Sequence, residues 1–139
     1  MVIDLERIGD EAASIAERAV VLQEMLPVPV IAIAGLMEAA EHSYQAAIDA
    51  FKHADAGAAL ALIENDDECV QKEAAALHHI VEHICLETGL TRGNSPQMGM
   101  HGILISRSLS RICRRVANIA EHVYFITQGI NIKHNLPIL

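Results

Sequence analysis

The sequence predicts an all-α protein, an antiparallel up-and-down bundle of four long helices. Three observations carry that expectation. Hydrophobic residues make up 52% of the chain while aromatics make up 3% and Trp is absent, so the apolar mass is Ala, Ile, Leu and Val, which suits helix–helix seams better than sheet faces. Apolar residues recur at alternating three- and four-residue spacing through four long segments. The breaks between those segments hold the Pro, Gly, Asp and Asn residues that interrupt helices. At 139 residues the chain is one domain, large enough to bury its own core.

The first helix is expected from about Ile3 to Met25, with Leu5, Ile8, Ala12, Ile15, Ala19 and Leu22 on one stripe. Pro27 and Pro29 end it, since neither donates a helical hydrogen bond. The second helix runs from about Val30 to His53, with Ile33, Met37, Ala40, Tyr44, Ala47 and Phe51 in register, and Asp55-Ala56-Gly57 marks the next break. A third helix is expected from about Ala58 to Glu87, its stripe being Ile63, Val70, Ala74, Leu77, Val81 and Ile84. Asp67 falls where that stripe calls for an apolar residue, and a rim position is the usual outcome for such a carboxylate. Thr88 to Met100, with three glycines and Pro96, reads as the one long loop. The fourth helix spans about His101 to Gln128 with Ile105, Leu109, Ile112, Val116, Ile119, Val123 and Ile126 in unbroken spacing, and Gly129 is its C-cap.

The formal net charge is −8, which argues against nucleic acid and anionic membranes as partners. The charge is uneven: residues 1–90 hold 4 Lys/Arg against 17 Asp/Glu, and residues 91–139 hold 6 against 1. A basic last helix packed on acidic ones is the plain reading of that asymmetry. Cys69, Cys85 and Cys113 are widely spaced, without a CxxC, and are expected as reduced core thiols in a reducing compartment. The N-terminus lacks a signal-peptide pattern, and the longest apolar run, Leu26 to Met37, is too short to span a bilayer and carries two prolines. A cytoplasmic protein without membrane insertion is expected.

The sharpest feature is an internal repeat. Residues 4–22 align with residues 108–126 at a constant offset, identical at seven of 19 positions: Leu5/Leu109, Arg7/Arg111, Ile8/Ile112, Ala13/Ala117, Ile15/Ile119, Ala16/Ala120 and Glu17/Glu121. A generic seam accounts for the aliphatic matches but not for the matched Arg and Glu, so the first and last helices should play equivalent structural roles.

The run Leu5-Glu6-Arg7-Ile8-Gly9-Asp10, continuing to Ile15-Ala16-Glu17, resembles the signature helix of the PhoU family, regulators of bacterial phosphate uptake. Leu109 to Val123 is similar to the same helix in that family's second repeat, and Ala47–Phe51 and Glu64–Glu68 fall where the family carries comparable residues. The resemblance reaches to about Lys133. It implies two tandem three-helix bundles, of which residues 1–26 match the last helix of the first and residues 27–133 the complete second, leaving 134–139 as a tail. The first helix is then without two partner helices, and an amphipathic helix with an open flank favours self-association, so a homodimer or larger homo-oligomer is expected. The resemblance further implies a non-enzymatic negative regulator of phosphate-starvation signalling, working through protein–protein contacts with a phosphate ABC transporter and a sensor histidine kinase.

Some members of that family bind metal clusters through a Glu/Asp-x-x-x-Asp motif on two helices of a bundle. Glu6 and Asp10 match it, one helical turn apart on one face. In the second bundle the motif is degraded: Asp66 stands first, but Val70 takes the second acidic place, and Ser110 and Arg114 stand for the pair on the last helix. A guanidinium repels a cation and does not deprotonate, so no cofactor is expected there. The competing class is a metal-binding helical bundle holding iron, zinc or another divalent metal with Glu6, Asp10 and the one-turn pair His79 and His83. No Glu-x-x-His of the di-iron type occurs in the sequence. Arg7, Arg111, Arg114 and Arg115 are the candidate ion-pairing residues, and Glu6 and Asp10 are expected to bridge to Arg114 and Arg115 within the chain or across a dimer. Arg107, Arg111, Arg114 and Arg115 also form a basic cluster, without aromatic interleaving for nucleic acid but suited to an oxyanion such as phosphate.

Overall fold

A computed structural model describes residues 1–23, 30–87 and 95–132. Among them all regular structure is helical: α1 (Val2–Gln23), α2 (Val30–His53), α3 (Ala56–Glu64), α4 (Asp66–Glu87) and α5 (Ser95–Gln128). The proline segment after α1, Thr88 to Asn94 and Lys133 to Leu139 lie outside the described residues.

The long helix α5 is the axis of the fold. Its 34 residues span about 50 Å, and α1, α2, α3 and α4 all lie against it. The expected ladder Ile105, Leu109, Ile112, Val116, Ile119 and Val123 is buried, whereas Ile126, in the same register, is 68% exposed near the helix end. Helices α2 and α4 also meet each other, while among the described residues α1 lies against α5 alone. The chain therefore does not stack α2 beside α1, as short connections between neighbours would suggest; α1 pairs with the helix farthest from it in sequence.

The expected third helix is two helices. Asn65 closes α3, its backbone N–H and its side-chain amide both bonding the Ala61 carbonyl, and α4 starts at the next residue. That break resets the phase of the apolar stripe. The buried residues of α4 are Cys69, Ala76 and Ile80, one position away from the expected Val70, Leu77 and Val81, and Val70 and Val81 are half exposed. Asp67 is exposed for the same reason. On α2, Ala40 and Ala47 are buried as expected, but Met37 and Phe51 face solvent. This helix meets α5, α4 and α3 together, so Leu36, Ala39 and Ala50 are inside instead.

The glycine-bearing stretch before His101 belongs partly to α5. Pro96 sits in the first turn, where its missing N–H costs nothing. Gly99 and Gly102 serve close packing there: a Cβ at Gly99 would overlap Ile84, and one at Gly102 would lie 3.2 Å from Ile80. Sequence reasoning took as a loop signal what is a close crossing of α4 and α5.

Cys69 on α4 and Cys113 on α5, expected as separate thiols, are joined in a disulfide with Cα atoms 6.5 Å apart, a separation that a disulfide accommodates. No spacing motif announces a pair 44 residues apart. Cys85 is exposed and outside that bond.

Gly129 closes α5 with φ 70° and an N–H bonded to the Phe125 carbonyl at 2.8 Å, the expected cap. The end of α2 is less comfortable. The Asp55 N–H reaches back to the Ala50 carbonyl at 2.9 Å, a Schellman closure that places Ala54 at φ 51°. An L side chain pays about 1 kcal/mol in that conformation and glycine does not. The Asp55 carboxylate then caps α3 by accepting from the Ala58 N–H at 3.0 Å. Replacement Ala54→Gly should stabilise the fold by about 0.5–1 kcal/mol, read as a higher urea midpoint at unchanged slope; a lower midpoint would show that this turn is not strained.

Candidate functional site: the seam between α1 and α5 and the two grooves beside it

Helix α1 lies antiparallel on α5. Near its start, Asp4 meets Asn118 (3.3 Å), Arg115 (3.7 Å) and His122 (3.9 Å). Two turns on, Glu11 takes a side-on fork from Arg111, with Nε at 2.7 Å and Nη2 at 3.0 Å, and Arg111 also donates to the Ser108 hydroxyl at 3.2 Å. Moving forward along one helix moves backward along the other. Between these polar clasps Ile8 is buried and Leu5 is half-buried against the core, and Ile15, one turn beyond Glu11, is half-buried as well.

The clasps follow from the repeat. Under its offset Asp4 corresponds to Ser108 and Glu11 to Arg115. The pair Asp4–Arg115 is therefore the pseudo-two-fold mate of Ser108–Glu11, and in both places the facing side chain favours the ionised carboxylate, Arg115 for Asp4 and the Ser108 hydroxyl for Glu11. Two copies of one helix face each other across a local dyad and differ at the facing positions, Asp4 against Ser108 and Glu11 against Arg115, while the Glu11–Arg111 fork has no such mate because its equivalents are Arg115 and Arg7.

The electrostatics agree. Burial works against the Asp4 carboxylate, but the terminal ammonium at 3.2 Å, the Asn118 amide and Arg115 outweigh it and hold the carboxyl below its ordinary value. For Glu11, burial is likewise outweighed by the Arg111 fork, Ser108 and Arg115. Both groups have lowered folded-state pKa values, so their stabilising contribution is complete above about pH 5 and is lost as pH falls through the folded values.

The sequence-predicted residues divide. Arg111 and Arg115 are at the seam, paired with Glu11 and Asp4. Glu6 and Asp10, expected as their partners, are exposed on the far side of α1, because Asp4 and Glu11 are the carboxylates whose helical phase faces α5. Arg7 and Arg114 are exposed, with no carboxylate within 4.0 Å among the described residues. The Asp66 side chain lies outside the described residues. His79 and its neighbour His78 both approach Glu82, at 3.7 and 3.3 Å. Among the described residues no three His, Cys, Asp or Glu side chains gather as a metal-holding group. Sequence reasoning passed over Asp4, Glu11, Ser108 and Asn118. The signal was present in the repeat: an acid on one copy opposite a donor on the other, once the copies are aligned head to tail.

Among the described residues α1 packs on α5 and no other helix, which leaves one groove open along its side, and a second groove lies elsewhere along α5. The first, between α1 and α2 over α5, is apolar, with a volume of 760 Å³ and walls that include Leu5, Ile8, Ile15, Met37, Tyr44 and Leu109. The second lies where α5 meets α4, with a volume of 430 Å³, and is walled by Arg107, Ser110, Arg111 and Arg114 of α5 and by Val70 and Leu77 of α4, among others. Glu11 of α1 borders it through Arg111. The flank of α1 that borders the first groove, with Gly9 and Ala12 in its wall, is also apolar and small. Gly9, Ala12, Ala16 and Ala19 are exposed, yet their repeat equivalents on α5, Cys113, Val116, Ala120 and Val123, are all buried. Among the described residues no helix is long and apolar enough to cross a membrane.

Residues 33–123 match the PhoU domain family model. The chain is 33% identical over 135 residues to a phosphate-specific transport system accessory protein PhoU homolog of Pseudomonas aeruginosa, covering 96% of this chain and 54% of that protein. Similar proteins of the same description occur in Aquifex aeolicus (31% identical, 96% and 59% covered) and, as homolog 1, in Thermotoga maritima (31%, 96% and 56%). The chain thus spans about half the length of the curated relatives it matches. No solved structure matches.

The seam can be tested by pH. Glu11→Gln should cost about 1 kcal/mol at neutral pH, a charge-assisted fork discounted for its partly solvated guanidinium. It should also flatten the fall in melting temperature between about pH 5 and pH 3. A variant as acid-sensitive as the parent would place the acid transition elsewhere.

Proposed function

The chain belongs to the PhoU family, and from that premise we propose that it serves phosphate uptake as a regulatory contact module of the cytoplasm, without a reaction of its own. The names of its relatives, accessory proteins of a phosphate-specific transport system, support the setting, and by family resemblance its targets are a phosphate ABC transporter and a sensor histidine kinase. The observation that carries the contact mechanism is the open flank of α1. The repeat supplies the standard for comparison: α5 buries this face under three helices, and α1 leaves it bare.

The occupant of that flank in our reading is the same flank of a second copy. Small residues at Gly9, Ala12, Ala16 and Ala19 let two helix backbones approach closely, and a face contacting its own copy closes as a two-fold dimer without leaving an open end. The apolar α1–α2 groove runs beside it, so the larger side chains Leu5, Ile15 and Met37 extend the same surface. Residues 1–26 then act as the pairing segment and residues 27–133, with α2 to α5, as the bundle it carries. The metal-binding reading retains Glu6 and Asp10, which share one exposed face of α1.

Light scattering on the full chain should give twice the 15.1 kDa chain mass. Ala16→Glu, a charge placed on the bare flank, should give the single mass with helix content retained. A parent protein already monomeric at micromolar concentration would contradict the reading, as would a variant that still dimerises.

A further inference from the structure

The second groove goes beyond that reading and does not depend on it. We infer that the groove between α4 and α5 is a binding site for inorganic phosphate, held by Arg107 and Arg114 and selected by Glu73.

The charge distribution along α5 points there. Of its four arginines, Arg111 and Arg115 turn to α1 and meet Glu11 and Asp4. Arg107 and Arg114 are exposed, line the groove, and have no carboxylate within 4.0 Å among the described residues. In a chain of net charge −8, two such guanidinium groups on one groove form a local reversal of sign. They are seven residues apart, so their Cα atoms stand about 10 Å apart along the same helical face. Each side chain is long enough for the two heads to converge on one small anion between them. The guanidinium fork matches a tetrahedral oxyanion in geometry as well as charge. The opposite wall, Val70, Ala74 and Leu77, is apolar and lowers the dielectric on that side, which strengthens the attraction.

Packing does not require these cations. The repeat equivalents of Arg107, Ser110 and Arg114 on α1 are Ile3, Glu6 and Asp10, so the same helical unit folds with an apolar residue and two acids in this row.

Glu73 supplies selectivity. It lies in the same groove, and its carboxylate accepts the Ser110 hydroxyl at 2.6 Å. A carboxylate repels a fully deprotonated anion, but it accepts a hydrogen bond from one that still carries a proton. Near pH 8 inorganic phosphate keeps one P–OH, whereas sulfate and phosphate monoesters have none. The two arginines therefore draw an oxyanion in, and Glu73 favours the one with a proton to give.

The test is calorimetric titration of the full chain with sodium phosphate at pH 8, at ionic strength fixed with chloride, beside titrations with sulfate and glycerol phosphate. Saturable phosphate binding is expected, about tenfold or more stronger than either competitor. Arg107→Gln and Arg114→Gln should each weaken it at least about tenfold at unchanged melting temperature. Glu73→Gln should narrow the preference for phosphate over sulfate. Absence of saturable phosphate binding by the parent overturns the inference. So does equal affinity for sulfate, or for glycerol phosphate. Arginine variants that bind phosphate as the parent does overturn it as well, whether or not their oligomeric mass changes.

Discussion

The structure depends on one helix having two usable faces. One side of α5 buries Val116, Ile119 and Val123 beneath α2, α3 and α4, each residue contributing about 1.5–3 kcal/mol. The other receives α1. An aliphatic ladder alone is almost indifferent to a slip of one turn, so the hydrophobic effect brings α1 to α5 without fixing where it stops. Register comes from the carboxylates, because Asp4 and Glu11 each find a cationic or amide partner at one alignment. The break at Asn65, the close crossing at Gly99 and Gly102, and the two grooves along α5 are all arranged around that axis.

Much of this was legible in the sequence. The helical class, the limits of α2 and the burial of α5 from Ile105 to Val123 follow from periodicity, whereas the repeat marks the first and last helices as related units without saying that they pack on each other. What escaped was long-range or phase-dependent. Asn65 leaves helical periodicity nearly intact, so a stripe drawn across it buries Val70 on paper where Cys69 is buried in fact. The Cys69–Cys113 bond depends on α4 and α5 crossing at those residues, which no local spacing encodes. For the seam, the acids and bases were correctly placed on α1 and α5, but the choice of Asp4 and Glu11 over Glu6 and Asp10 depends on the rotation of α1, and an incomplete apolar stripe leaves that rotation undefined.

Divergence within the repeat explains how one helical unit serves two ends. At the shared core positions the copies differ in size: Gly9, Ala12 and Ala19 on α1 stand against Cys113, Val116 and Val123 on α5. The larger residues fill a covered core, and the smaller ones suit an open flank. At the facing positions the copies differ in charge, which binds them to each other. At the outward row they differ again, Glu6 and Asp10 against Ser110 and Arg114, giving α1 an acidic exterior and α5 a cationic groove. Packing, pairing and surface chemistry thus sit on three separate rows of one helix, and each has changed without disturbing the others.

The antiparallel pairing of α1 with α5 sets the seam and leaves the flank of α1 open, and methyl–methyl Overhauser spectroscopy reads it directly. The pairing places Ile15 beside the turn holding Leu109, and Leu5 beside the turn holding Val116 and Ile119. Cross-peaks between those groups are the predicted result. Cross-peaks that join Leu5 to the Ile105 end of α5 and Ile15 to the Ile119 end would mean that the two copies run parallel, and the account would be wrong.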